Sequence, residues 1–231
     1  MSSLLNLERQ VIMVAIVEKE KTLNQSIILN GWTTATWEDF LEISQAKSND
    51  KAKFYYYQGS YYSEMGVGAD HAFVNTVVII LISLYCMKRN ILTKGYTNCS
   101  YRKVGIRECQ PDISYYVGDR TQNAPQSSAI VDLDESLPPD IVIEIADTSL
   151  GYDLGAKRLL YEEVRVGEYW VIDVQNMKIT AFRILQGLGS ERITESSVLG
   201  GLHLSLLEEA LQRSREIDNS QIGSWFMEQL G

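Results

Sequence analysis

Pro138 to Val174 reads PPDIVIEIADTSLGYDLGAKRLLYEEVRVGEYWVIDV, and this stretch decides the fold. Ile141 to Ala146 is a nearly continuous apolar run of strand length, the pattern of a strand buried on both faces. A helix is expected from about Tyr152 to Val164, and EYWVIDV, Glu168 to Val174, reads as a second buried strand. Strand, helix and strand in that order imply a parallel, right-handed crossover. One residue breaks the apolar pattern. Glu144 stands in the middle of the first strand, sharing a face with Val142 and Ala146 while Ile141, Ile143 and Ile145 face the other way. An ionised carboxylate is costly there unless it is paired or meets a cation.

Upstream, PDISYYVG (Pro111 to Gly118) is a β-prone run that opens with a second carboxylate, Asp112. Two strands that each present one acid to a common point offer the hard oxygen donors that Mg²⁺ or Mn²⁺ prefers. The alternative is that each acid pairs with a buried Arg or Lys, or caps a turn. ILTKGYT and YRKVGIR read as two further strands, and residues 119–138 form a long connection rich in turn formers. A connection of that length is often functional or mobile.

Further upstream, Phe73 to Met87 is the strongest apolar run, shorter than the about 20 residues of a spanning helix and interrupted by Asn75, Thr76 and Ser83. A buried core helix from His71 to about Asn90 is expected, with Asp70 as its cap, and no membrane association. KFYYYQGSYYSEM predicts a hairpin around Gln58-Gly59-Ser60, and Thr36 with Asp39 predicts the capped start of a short helix. Residues 1–35 are expected to form an N-terminal extension, residues 36–210 one α/β domain and residues 211–231 a tail or helix. Downstream, MKITAFRI and ERITESSV suggest a peripheral hairpin, and Leu204 to Arg213 a helix. The sheet should be mixed, with helices on its faces.

Composition narrows the setting. The chain of 231 residues is 45% hydrophobic and carries a net charge of −9, which argues against a general nucleic-acid coat protein. Lys88, Arg89, Lys94, Arg102, Lys103 and Arg107 nevertheless form a stretch without an acid, either a solvated face that balances acids elsewhere or a phosphate-facing surface. Three cysteines with no CxxC pair fit a reducing compartment, and the N-terminus lacks the marks of a secretory signal, so a cytoplasmic protein is expected. No P-loop, dinucleotide fingerprint or Ser/His/Asp elbow is present.

PDISYY followed by the Pro138–Val174 block resembles the Uma-two family, a bacterial group with the PD-(D/E)xK, or restriction-endonuclease-like, fold. The shared pattern is a Pro-Asp strand, a variable loop, a second Pro-Asp strand ending in Glu, a helix with Asp and Lys, and Glu168-Tyr-Trp-x-x-Asp173. It runs from about Thr36 to Leu207. The resemblance implies a restriction-endonuclease-like mixed β-sheet flanked by helices and a DNA endonuclease whose Mg²⁺ (or Mn²⁺) is held by Asp112 and Glu144, with a homodimer expected.

Where the nuclease signature has Lys two residues after the Glu, this chain has Ala146. Lys157 on the next helix is the candidate substitute, although Asp153 and Lys157 also stand at the i, i+4 spacing of a helical ion pair. His71 could donate to phosphate or activate water, or serve in a cap or the core. Glu64 is a candidate third acid. Trp170 and Tyr169 read as core, Asp173 as a strand terminator and His203 as a turn residue. A catalytically silent protein that keeps the fold as a binding or assembly module is the competing expectation, favoured by the net charge and by Ala146.

Overall fold

The computed structural model describes residues 31–187 and 189–231, and the expected N-terminal extension lies outside the described residues up to residue 30. The chain divides into two compact units, Met1–Met65 and Gly66–Gly231.

In the first unit, strand β1 (Thr33–Thr34) precedes helix α1 (Trp37–Ser44) and the hairpin β2 (Ala52–Tyr57) and β3 (Ser60–Met65). The α1 start is a full capping box. Asp39 N–H donates to Thr36 Oγ1 at 3.1 Å and the Asp39 carboxylate receives the Thr36 N–H at 3.3 Å. Gln58 and Gly59, with φ of 47° and 73°, make the two-residue turn whose twist matches a hairpin. Phe40 packs with Phe54, Tyr56 and Tyr61 as a small aromatic core.

The second unit is built on a six-stranded mixed sheet. Its strands are β4 (Thr93–Thr97), β7 (Ile113–Val117), β9 (Ile141–Ala146), β10 (Glu168–Asp173), β11 (Lys178–Ile184) and β12 (Ser190–Ile193), in the order β12-β11-β10-β9-β7-β4. β9 and β10 are parallel and every other neighbouring pair is antiparallel, as the strand–helix–strand reading requires. β11 and β12 form the peripheral hairpin on one edge.

Helix α2 (Ala69–Arg89) packs on one sheet face together with α4 (Leu204–Arg213) and α5 (Asn219–Gln229). By length and composition α2 could cross a membrane. Its buried positions Val74, Val77, Val78, Leu81, Ile82 and Tyr85 recur at three and four residues, however, and join Ile141, Ile143, Ile145, Trp170 and Ile172 in the main core. The cap differs from expectation: Gly68 is the N-cap and Asp70 lies in the first turn. Extended backbone at Gly68 lets the helix begin two residues before His71, and Asn90 closes it in the left-handed conformation at φ 54°.

The other sheet face carries helix α3 (Arg158–Val164) and a smaller layer of β5 (Tyr101–Lys103), β6 (Arg107–Cys109) and β8 (Val131–Asp132). YRKVGIR is therefore a hairpin and not one strand. Gly105 at φ 73° supplies a turn conformation that an L-residue resists. The 119–138 connection also holds more structure than expected, a 3₁₀ turn over Gly118–Asn123 and the β8 pairing to β5. The helix expected over Tyr152–Val164 begins earlier, with one turn at Leu150–Tyr152, and passes through a π-turn at Asp153–Lys157 before α3. Gly155, at φ −99° and ψ −107°, breaks the helical path there.

Candidate functional site

The β7–β9 ladder sets the geometry of the two acids. Ile113 pairs with Ile143 and Ser114 with Val142, so extending the antiparallel register by one residue sets Asp112 opposite Glu144. Directly opposed residues project to the same face, with Cβ atoms about 4.5–5.5 Å apart. Glu144 faces away from α2, because Ile143 and Ile145 occupy the α2 side, whereas Asp112, just outside the end of β7, reaches the first turn of α2. Both acids are buried, Asp112 at 4% and Glu144 at 1% exposure.

Each acid is held by specific donors. Ile145 N–H donates to Asp112 Oδ2 at 2.8 Å, which fastens the start of β7 to the middle of β9. His71 Nε2, in the first turn of α2, stands 3.2 Å from Asp112 Oδ1. Tyr161 on α3 donates its hydroxyl to Glu144 Oε1 at 2.7 Å. The Cys109 thiol of β6 is buried beside Glu144 and Tyr161. Burial pushes it well above the usual thiol range, and the Glu144 charge pushes the same way.

Lys157 is 1% exposed, and its Nζ lies 2.8 Å from Asp153 Oδ1. A helical surface pair would be solvated; this one is enclosed. Ser149 Oγ donates to the other Asp153 oxygen at 2.5 Å, and the Tyr169 hydroxyl donates to the Asp153 carbonyl at 2.9 Å. The Tyr161 and Tyr169 rings stack at 4.7 Å. The π-turn that carries Lys157 is thus tied to β10 through Tyr169, while the following turn of helix reaches Glu144 through Tyr161.

His71 and Asp112 are brought together, Glu144 is held by Tyr161, and Lys157 sits one helical turn before that tyrosine. Glu64 lies on β3 of the first unit, half-buried. Among the described residues no group of three or more His, Cys, Asp or Glu side chains is gathered as a metal cage. Glu168 is also buried, but it points to the α2 side, accepting from Trp170 Nε1 and from the backbone of Ser197 and Val198. Its place is to hold the loop between β13 (Glu195–Ser196) and β14 (Leu202–His203). Asp173 accepts from Gln175 and Asn176 N–H and ends its strand. His203 is exposed, 3.4 Å from Glu195.

Half of the basic stretch pairs with acids of the same chain. Arg102 pairs with Glu108, Lys103 with Asp134 at 2.8 Å and Arg107 with Glu163 at 2.8 Å. Sequence reasoning missed Tyr161, Ser149 and Cys109. The one signal was spacing, since Asp153, Lys157 and Tyr161 recur every fourth residue.

The family model for Uma2, described as "Putative restriction endonuclease", matches residues 37–219. The chain belongs to the Uma2 family. A solved structure shares the fold: the crystal structure of a "putative nuclease belonging to DUF820" from Anabaena variabilis, 17% identical, covers 83% of this chain and 98% of its own, with a TM-score of 0.50. No curated protein matches the chain. Membership of Uma2 supports a nuclease-like function, on a mixed sheet flanked by helices.

Proposed function

We propose that this Uma2 protein is a DNA endonuclease that hydrolyses phosphodiester bonds with Mg²⁺ or Mn²⁺ held by Asp112 and Glu144. The observation that carries the reading is the pair of buried acids, Glu144 on β9 and Asp112 immediately before its neighbour β7. The donor chemistry fits: both are hard carboxylates, and Mg²⁺ is commonly bound through one or two carboxylates, with water and substrate phosphate completing its shell. A bound divalent ion supplies Lewis-acid polarisation of a phosphoryl oxygen and lowers the pKa of water.

The chain supplies the rest. Lys157 contributes a buried positive charge against the charge that develops on the phosphate, in a setting where such charge acts strongly. Asp153 and Ser149 fix its position. His71, with 13% of its side chain exposed against 6% for Asp112, is the more accessible of the two and can exchange a proton with an arriving water or contact phosphate. With Arg102, Lys103 and Arg107 engaged by acids, Lys88, Arg89 and Lys94 leave a narrow strip for the DNA backbone. Binding is therefore weak and salt-sensitive.

The test is cleavage of supercoiled plasmid and of single-stranded DNA with Mg²⁺, Mn²⁺ or chelator, comparing wild type with Asp112→Asn. Metal-dependent nicking by wild type that disappears in the variant is expected. Nicking that is absent, or that survives in Asp112→Asn, overturns the proposal. Absence would favour a binding module on the same fold, the reading to which Ala146 and the lack of a three-ligand cage among the described residues point.

A further inference from the structure

We infer that Tyr161 is a positioning residue that orients the Glu144 carboxylate for a divalent cation, an inference that rests on the metal reading of Asp112 and Glu144. The hydroxyl donates to Glu144 Oε1 at 2.7 Å from within the core. A donor on one carboxylate oxygen fixes the rotation of the group and so the direction of the other oxygen. Outer partners of this kind steer metal ligands, and losing one costs about 10–100-fold in affinity or activity.

The ring is fixed as firmly as the hydroxyl. Tyr161 is fully buried and stacks on Tyr169 at 4.7 Å and 30°. Tyr169 is itself anchored to the Asp153 carbonyl of the π-turn. Without the stack, a tyrosine hydroxyl could follow Glu144 wherever it moved. With it, the hydroxyl imposes a position. The backbone N–H of Ile145 plays the matching part for Asp112, so one acid is set by the sheet and the other by α3.

The experiment measures Mn²⁺ binding to the full chain by calorimetry for wild type, Tyr161→Phe and Tyr116→Phe. Tyr116 is the control because its buried hydroxyl donates to the Leu137 carbonyl at 2.9 Å, so the same deletion is made away from the acids. A Kd for Mn²⁺ weakened at least about tenfold in Tyr161→Phe, with Tyr116→Phe within about twofold of wild type, is the expected result. Equal losses in both variants, or none in Tyr161→Phe, overturn the inference. A wild-type protein that takes up no Mn²⁺ overturns the metal reading itself, and this inference with it. Should Tyr161→Phe fail to fold, ring-labelled wild-type protein gives the second measurement. Mg²⁺ should shift the Tyr161 ring signals as Glu144 takes a cation, and signals unchanged through saturation overturn the inference.

Discussion

Replacing Lys157 by Met should cost the fold about 3–5 kcal/mol, the usual result of stripping one partner from a buried ion pair. Both members of the pair are 1% exposed at the side chain and 2.8 Å apart, so the substitution leaves the Asp153 carboxylate enclosed without that cation. The same i, i+4 spacing on a surface helix is worth only about 0.3–0.5 kcal/mol. Burial therefore raises the expected effect by nearly an order of magnitude. For a chain of this size the melting temperature should fall by roughly 6–20 °C. The double variant Lys157→Met/Asp153→Leu removes both charges and should regain most of the loss, because apolar replacement of a buried pair is often neutral or better. Urea unfolding followed by tryptophan fluorescence reads both effects. A single variant that loses less than about 1 kcal/mol, or a double variant no more stable than the single, refutes the reasoning. The double variant also separates stability from chemistry: it should be folded and still fail to cleave DNA.

Gly167→Ala should destabilise by about 1–3 kcal/mol, as overpacking does, because the added Cβ would stand 2.6 Å from the Asp140 carbonyl, which the β9–β10 pairing cannot move freely. A melting temperature equal to wild type would contradict this. Burial holds the Glu108 carboxyl above its ordinary value, with Arg102 opposing the shift. A raised acid binds more protons folded than unfolded. Its contribution is therefore whole below the unfolded value of about 4.3 and declines as pH rises through the folded one. Glu108→Gln should accordingly gain on wild type in urea midpoint as pH goes from 4 to 8, and a variant that instead loses ground to wild type over that range would reverse the sign.

The strands of the central sheet were legible because burial writes itself into composition. Ile141–Ala146 and Glu168–Asp173 are buried on both faces, and Gln58-Gly59 marks its hairpin by two left-handed residues that suit a tight turn. Glu144 and Asp112 stood out for the same reason, as charges where the pattern admits none. Three-residue strands carry too little periodicity to register, so YRKVGIR concealed a hairpin that only Gly105 betrays. The π-turn was hidden because one extra residue in a helix leaves the spacing of apolar residues almost unchanged. The partners of the basic stretch lay further out of reach. Arg107 meets Glu163 across 56 residues, and Tyr161 meets Glu144 across 17, contacts that belong to the fold and not to any window of sequence.

The connection from β7 to β9 has a practical consequence. Its ends are moored independently of its length: Val117 N–H donates to Asp140 Oδ2 at 2.8 Å, Arg120 pairs with Asp140 at 2.7 Å and the Tyr116 hydroxyl holds the Leu137 carbonyl. Between these moorings Gln126 to Ile130 are all exposed. Lengthening a surface loop adds only about 0.6 kcal/mol per doubling. A fluorescent label or affinity tag grafted at Ser128 can therefore report on the protein while β7 and β9 keep their register.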